Sequence, residues 1–265
     1  MPLIQYTRKG RGTPPIVFVH GFGCARSDWD DQVAHFAGTH ETVAVDLGGH
    51  GTSPGGLDHR RLETHGADVA ALLADLELPP AVLVGHSMGC RVVMAAADAV
   101  PERVKGLILV DGSRLGEAGS TAHEARAKAM ATMGYEAFAK AAFEQMFGAD
   151  YDKAKAQAII TRAMQRPADI AGPLFVDIGR YDAENMDRLL AGVRVPMLAI
   201  QSTQTNPDGK RLPLSSGATT PYLEMLRAKV KSVSIEIIPD IGHFPQLERV
   251  AETNAIMAAF LKRVA

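Results

Sequence analysis

The chain has 265 residues, with 28 Lys and Arg against 30 Asp and Glu, so its formal charge at neutral pH is −2. That length suits one α/β domain with room for an insertion, and a near-neutral balance offers no basic field for phosphate backbones or anionic membranes, which excludes a nucleic-acid partner. The apolar runs are strand-sized, far short of the roughly 20 residues of a membrane span, and MPLIQYTRKG carries no apolar core ahead of a cleavage site, so a cytoplasmic protein without a membrane span is expected.

Apolar runs bounded by Gly and Pro alternate with longer amphipathic stretches, the rhythm of βα units on a parallel sheet. Strands are predicted at 3–7, 16–20, 42–46, 81–85, 106–111, 195–201 and 233–238. Their Val, Ile and Leu content without alternation suits strands covered on both faces. Helices are predicted at 60–76, 88–99, 221–230 and 247–264. Between 115 and 193 the rhythm breaks. This Ala-rich stretch has no convincing strand and reads as helices at 123–133, 135–147, 152–166 and 182–191. The expected division is therefore a core formed by 1–114 and 194–265, with 115–193 inserted as a helical lid. Late in the chain, 203–220 is irregular and contains the turn signal Asn206-Pro207-Asp208-Gly209.

Gly85-His86-Ser87-Met88-Gly89 is a G-x-S-x-G pentapeptide between an apolar strand and a helix. A sharp strand-to-helix turn of this kind lifts a serine hydroxyl to its apex, with glycines letting the backbone pack on either side. Ser87 is the candidate nucleophile. His20-Gly21-Phe22-Gly23 follows an earlier strand, and its amides could point at a ligand oxygen. The N–H groups of Phe22 and Met88 are the candidate oxyanion hole. His20, and His50 in the second Gly-rich loop 46–53, read as loop braces. Ile241-Gly242-His243-Phe244 follows the last strand, which makes His243 the candidate general base. His35, His40, His59, His65 and His123 read as solvated residues of helices or turns. Two cysteines, Cys24 and Cys90, are too few for a disulfide framework or a structural zinc site and read as small buried hydrophobes, so neither metal nor cofactor is expected.

The ordered set HGFG, D-L-x-G-H-G-x-S, GHSMG and GHFPQLE resembles the α/β-hydrolase family along essentially the whole chain. That resemblance implies a mostly parallel sheet flanked by helices and an acyl-enzyme mechanism. Ser87 would attack a carbonyl, His243 would take its proton, and Phe22 and Met88 would hold the oxyanion. Serine at position 87 argues against the dehalogenase and epoxide-hydrolase branches, whose nucleophile is a carboxylate. One member departs from the pattern. Most relatives carry the triad acid in a turn that here reads Ser202-Thr203-Gln204-Thr205, with Thr205 where the aspartate would stand. Asp111, at the end of the strand after the nucleophile, is the replacement expected. Asp208 is the alternative acid.

Phe138, Phe143, Met146, Phe147 and Phe244 are expected to line a largely apolar pocket. Arg91 reads as a surface or structural ion-pair residue, and no arginine pair is expected near the motifs. The preferred reading is a serine hydrolase (carboxylesterase or lactonase) of a small hydrophobic ester or lactone, with a small-molecule substrate and unknown oligomeric state. A carbon–carbon bond hydrolase, a cofactor-free haloperoxidase-like relative and a slow-turnover ligand receptor are the alternatives.

Overall fold

In the computed structural model, residues 4–206 and 210–265 are described. Asp208 and the start of the predicted first strand lie outside them. The first half of the chain forms β1 (Tyr6–Lys9), β2 (Ile16–Val19), α1 (Asp30–Phe36), β3 (Thr42–Val45), α2 (Leu62–Asp75), β4 (Ala81–His86), α3 (Met88–Ala99) and β5 (Val104–Val110). Then come α4 (Ala122–Met133), α5 (Tyr135–Glu144), α6 (Lys153–Met164) and α7 (Ala168–Gly192). The chain closes with β6 (Met197–Gln201), β7 (Thr203–Thr205), β8 (Arg211–Pro213), α8 (Pro221–Lys229), β9 (Val233–Ile237), α9 (Pro245–Glu248) and α10 (Val250–Val264).

Seven strands make one sheet in the order β1-β3-β2-β4-β5-β6-β9, parallel except for the antiparallel β1–β3 edge pair. β2, β3 and β4 are buried along their whole length, as their unbroken apolar sequences require in a sheet covered on both faces. One face packs Trp29, Val33, Phe36, Met257, Phe260 and Leu261 from α1, α10 and the turn before α1. The other receives α2, α3 and part of α7. The loops after β2, β4 and β5 thus leave at one carboxyl edge, where ligands gather in open α/β sheets.

The insertion between β5 and β6 is helical, but its last helix differs from expectation. α7 runs 25 residues from Ala168, not from 182, and holds Pro173 inside its second turn. A proline there forfeits one backbone hydrogen bond, yet Ile170, Leu174, Ile178 and Tyr181 bury along one face and outweigh that loss. His65 is also not solvated. It lies on the buried stripe of α2 with Leu62, Val69, Leu72 and Leu73, at helical spacing. The short β7–β8 hairpin and α1 were not anticipated. Among the described residues no helix is long and apolar enough to cross a membrane.

Of the two readings of Arg91, a surface or a structural ion-pair residue, the structure shows the second, and the side chain is buried. Its Nε and Nη2 donate to Asp182 on α7 at 2.8 and 2.7 Å, while Nη1 and Nη2 also reach the carbonyls of Ser87 at 3.2 Å and Ser113 at 2.7 Å. Asp182 in turn accepts the Leu115 amide at 2.7 Å. This ion pair ties the insertion to the helix that follows Ser87. Removing one partner strands a buried charge, which costs about 3–5 kcal/mol. Asp182→Asn should therefore lower unfolding free energy by about that amount in urea titrations; a loss below about 1 kcal/mol would show that the pair does not hold α3 and α7 together.

Candidate active site

Ser87 sits between β4 and α3 with φ 54 and ψ −114, a left-handed conformation costly for any side chain but glycine. The flanking glycines explain how the turn closes. A Cβ on Gly85 would lie 2.3 Å from the Gly89 carbonyl oxygen, and one on Gly89 would lie 2.5 Å from that of Val19. The preceding loop approaches just as closely, since a Cβ on Gly21 would meet Ser87 Cβ at 3.0 Å. Met88 is the first residue of α3, so its N–H is one of the helix's orphan donors. The neighbouring loop is braced by His20, whose Nδ1–H donates to Gly21 O at 2.7 Å while Nε2 accepts the Leu47 amide at 3.0 Å.

Asp111 follows β5 directly and is fully buried with φ 44. Its Oδ2 accepts His243 Nδ1–H at 2.5 Å. The same oxygen accepts Thr203 Oγ1 at 2.5 Å and Arg211 Nη1 at 3.3 Å, and Oδ1 accepts the amides of Ser202 at 2.7 Å and Thr203 at 2.8 Å. The turn after β6 thus donates to the carboxylate instead of supplying one, while Thr205 lies on the hairpin with its side exposed.

His243 and Ser87 line one cavity of about 50 Å³. No hydrogen bond joins them among the described residues; catalytic contacts of this kind often tighten only around bound substrate. The His243 loop is fixed from several sides. Its amide donates to Met146 O at 2.6 Å, and its carbonyl accepts His86 Nε2–H at 2.8 Å. Glu248, which sequence reasoning did not single out, accepts the amides of Gly242 at 2.9 Å and of Gly148 at 3.0 Å. It therefore clamps this loop to the one after α5.

Phe22, Phe143, Met146 and Phe244 line the cavity, joined by Phe175, Ile178 and Leu115. Phe138 and Phe147 do not. Phe138 packs edge-on against Phe175 at 5.0 Å, and Phe147 stacks between Phe244 and Tyr151. Phe138, on α5, and Phe147, in the loop after it, thus pack against rings that line the cavity without lining it themselves. Two arginines, Arg91 and Arg211, also line the cavity, where no arginine pair was expected. Arg211 was invisible as a neighbour because a short hairpin, unread in the sequence, carries it there. Among the described residues no group of three or more His, Cys, Asp or Glu side chains could hold a metal ion.

Burial sets the charge states. It pulls His243 down to about 4, with Arg211's charge pulling the same way and the Asp111 bond opposing both. Burial works upward on Asp111, but the hydrogen bond and charge of His243, then Arg211, outweigh it, and the net direction is down. The resting pair is a carboxylate beside a neutral imidazole, able to take a proton. Burial pushes Cys90 up to about 12 and raises Cys24 still further, so both thiols are inert.

A profile of the alpha/beta hydrolase family matches residues 16–256. The chain belongs to that family. Its sequence is 29% identical over 266 residues to the dihydrolipoyllysine-residue acetyltransferase component of an acetoin cleaving system from Pseudomonas putida, covering 96% of this chain but only 65% of that component's length. A 3-oxoadipate enol-lactonase from Acinetobacter baylyi is 32% identical over 135 residues, about half of each chain (51% and 50%). Among solved structures, an N-acyl homoserine lactone degrading enzyme superposes with a TM-score of 0.78 at 25% identity, covering 97% of this chain and 96% of that one. Enzymes named as acting on lactones thus stand among this chain's relatives and structural neighbours.

Buried neutral histidines make the fold acid-sensitive. His20, His65 and His243 are held down to about 4 by burial, and His50 and His86 are lowered by the same cause. Each folded-state value lies below the unfolded one near 6.5, so the unfolded chain binds more protons below that pH. Stability is complete above about pH 6.5 and falls as pH drops toward 4. Urea unfolding should lose at least about 1.4 kcal/mol per pH unit between about pH 6 and 5; a flat profile would mean that these imidazoles titrate normally.

Proposed function

We propose that this chain is a serine hydrolase that cleaves a carboxylic ester or lactone through an acyl-enzyme. The bond from Nδ1–H of His243, which lines a cavity with Ser87, to Asp111 carries the reading. Asp111 fixes the tautomer that leaves Nε2 free and stabilises the imidazolium that forms. His243 takes the Ser87 proton as Oγ attacks the carbonyl, then returns it to the leaving oxygen. Amides of Phe22 and Met88 stabilise the tetrahedral oxyanion. A water deprotonated by His243 attacks the acyl-enzyme next, and Ser87 leaves with the proton restored.

Segment 115–193 acts in this proposal as a lid. Phe143, Phe175 and Ile178 give it an apolar inner surface above Ser87, and its Met146 carbonyl contacts the amide of the base. The core is 1–114 with 194–265. The relatives named as lactonases support the substrate class. The proposal has the enzyme working in the cytoplasm on a small molecule, with both thiols unpaired. With Asp111 bonded to His243, the missing carboxylate at Thr205 no longer argues for a slow receptor.

Hydrolysis of p-nitrophenyl esters from acetate to decanoate is the direct test. Ser87→Ala should abolish turnover while the circular dichroism spectrum stays unchanged, and retained turnover would overturn the nucleophile. Asp111→Asn should lower kcat by about 10³–10⁴-fold, the scale seen when the triad acid of a serine protease is neutralised. An effect under about 10-fold would remove Asp111 from the mechanism.

A further inference from the structure

Behind the Ser87 cavity lies a second one of about 360 Å³, and Ser113 and Arg211 line both. Thr203, Gln201, Tyr222 and Arg211 are among the residues of its wall, where the first cavity is lined largely by Phe, Met, Leu and Ile beside its polar groups. Arg211 hangs from the triad side by a single nitrogen. Nη1 donates to Thr203 Oγ1 at 2.7 Å and to Asp111 at 3.3 Å, while Nε and Nη2 take no hydrogen bond among the described residues. Tyr222, on the first turn of α8, is more than nine-tenths buried, and its hydroxyl has no partner among the described residues. Gln201 gives both its N–H groups away, to Gly112 O at 2.9 Å and Thr203 O at 2.8 Å, which leaves a buried Oε1 unpartnered.

Unpaired buried polar groups are costly, so a donor set of this kind in a cavity points to a polar ligand. The charges facing the space are mostly positive. Arg114 lines it but is spent on Asp187, at 3.1 and 3.2 Å, and Glu117 at the rim is largely exposed and paired with Arg114. Asp111 lies behind Arg211 and is already met by His243 Nδ1, Thr203 Oγ1, Arg211 Nη1, the amides of Ser202 and Thr203, and Ser202 Oγ. Burial raises Tyr222 well above its ordinary range, so its hydroxyl stays protonated and can donate.

We propose that the second cavity is a subsite for a carboxylate carried by the substrate, bound by Arg211 and Tyr222, so that the ester or lactone opened at Ser87 is an acidic one. The guanidinium edge formed by Nε and Nη2 matches the two oxygens of a carboxylate. Gln201 Oε1 accepts from a hydroxyl or N–H beside that carboxylate. Arg211 is thus a specificity-determining residue with two tasks, one nitrogen on the triad acid and the rest on substrate. This inference rests on the hydrolase reading above.

Two p-nitrophenyl esters of six-carbon acids test it in the full chain: the adipate monoester, which ends in a carboxylate, and the hexanoate, which does not. The wild type should favour the adipate monoester in kcat/KM by at least about 10-fold. Arg211→Gln should cut that preference by about 30-fold, and Tyr222→Phe, which leaves the Asp111 contacts intact, by about 5-fold. Equal losses on both esters, or a wild-type preference for hexanoate, would overturn the subsite. Adipate binding by calorimetry separates the two readings if neither ester is turned over. Wild type and Ser87→Ala should then bind adipate alike, and Arg211→Gln and Tyr222→Phe at least about 5-fold more weakly. The same affinity in all four proteins would refute the subsite whatever the fate of the hydrolase reading. Should Arg211→Gln fail to fold, the Tyr222→Phe comparison decides.

Discussion

A single buried carboxylate organises the functional end of this molecule. Asp111 is wholly removed from water and would be untenable as an anion without compensation. The compensation comes from three separate stretches of chain: the turn after β6, the β8 hairpin and the loop before α9. Each stretch is thereby fixed in space, and His243 inherits its orientation from them. Ser202 Oγ extends the arrangement, standing 3.0 Å from Asp111 and 2.7 Å from the carbonyl of Gly242, beside the imidazole.

The position of this acid has a simple geometric basis. In a parallel sheet, neighbouring strands end at the same edge about 4.8 Å apart. β5 and β6 are neighbours in register, with Val110 opposite Ile200, so Asp111 stands opposite Gln201. A carboxylate after β5 can reach the imidazole that a carboxylate after β6 would otherwise serve. The turn after β6, relieved of that duty, offers amides and hydroxyls and leads into the hairpin that brings Arg211.

Insertion and core act as one body at the site. The Arg91–Asp182 pair anchors α7 beside the helix of Ser87, and Glu248 and Met146 join the loop after α5 to the loop of His243. Any movement of the roof that disturbs Met146 or Gly148 is felt at the base. The cavity under this roof and the second cavity meet at Ser113 and Arg211.

The sequence by itself determined much of this protein, because its signals are local. Unbroken apolar strands such as IVFV and AVLVGH announce a sheet buried on both faces, and the glycines around Ser87 announce a turn that no larger residue could make. The helix 88–99 was legible to the residue. Longer-range facts were not. Pro173 masked the first half of α7, since the packing that outweighs a proline is made by residues from other elements. Buried His65 read as a solvated residue, and Arg91 was left between the surface and a structural ion pair, because only tertiary neighbours cover the one and pair the other. Which carboxylate meets His243, which aromatic rings face Ser87 and which guanidinium stands behind them depend on strand adjacency and on a three-residue hairpin strand. Spacing along the chain carries no information about these distances, and the tertiary structure alone decided them.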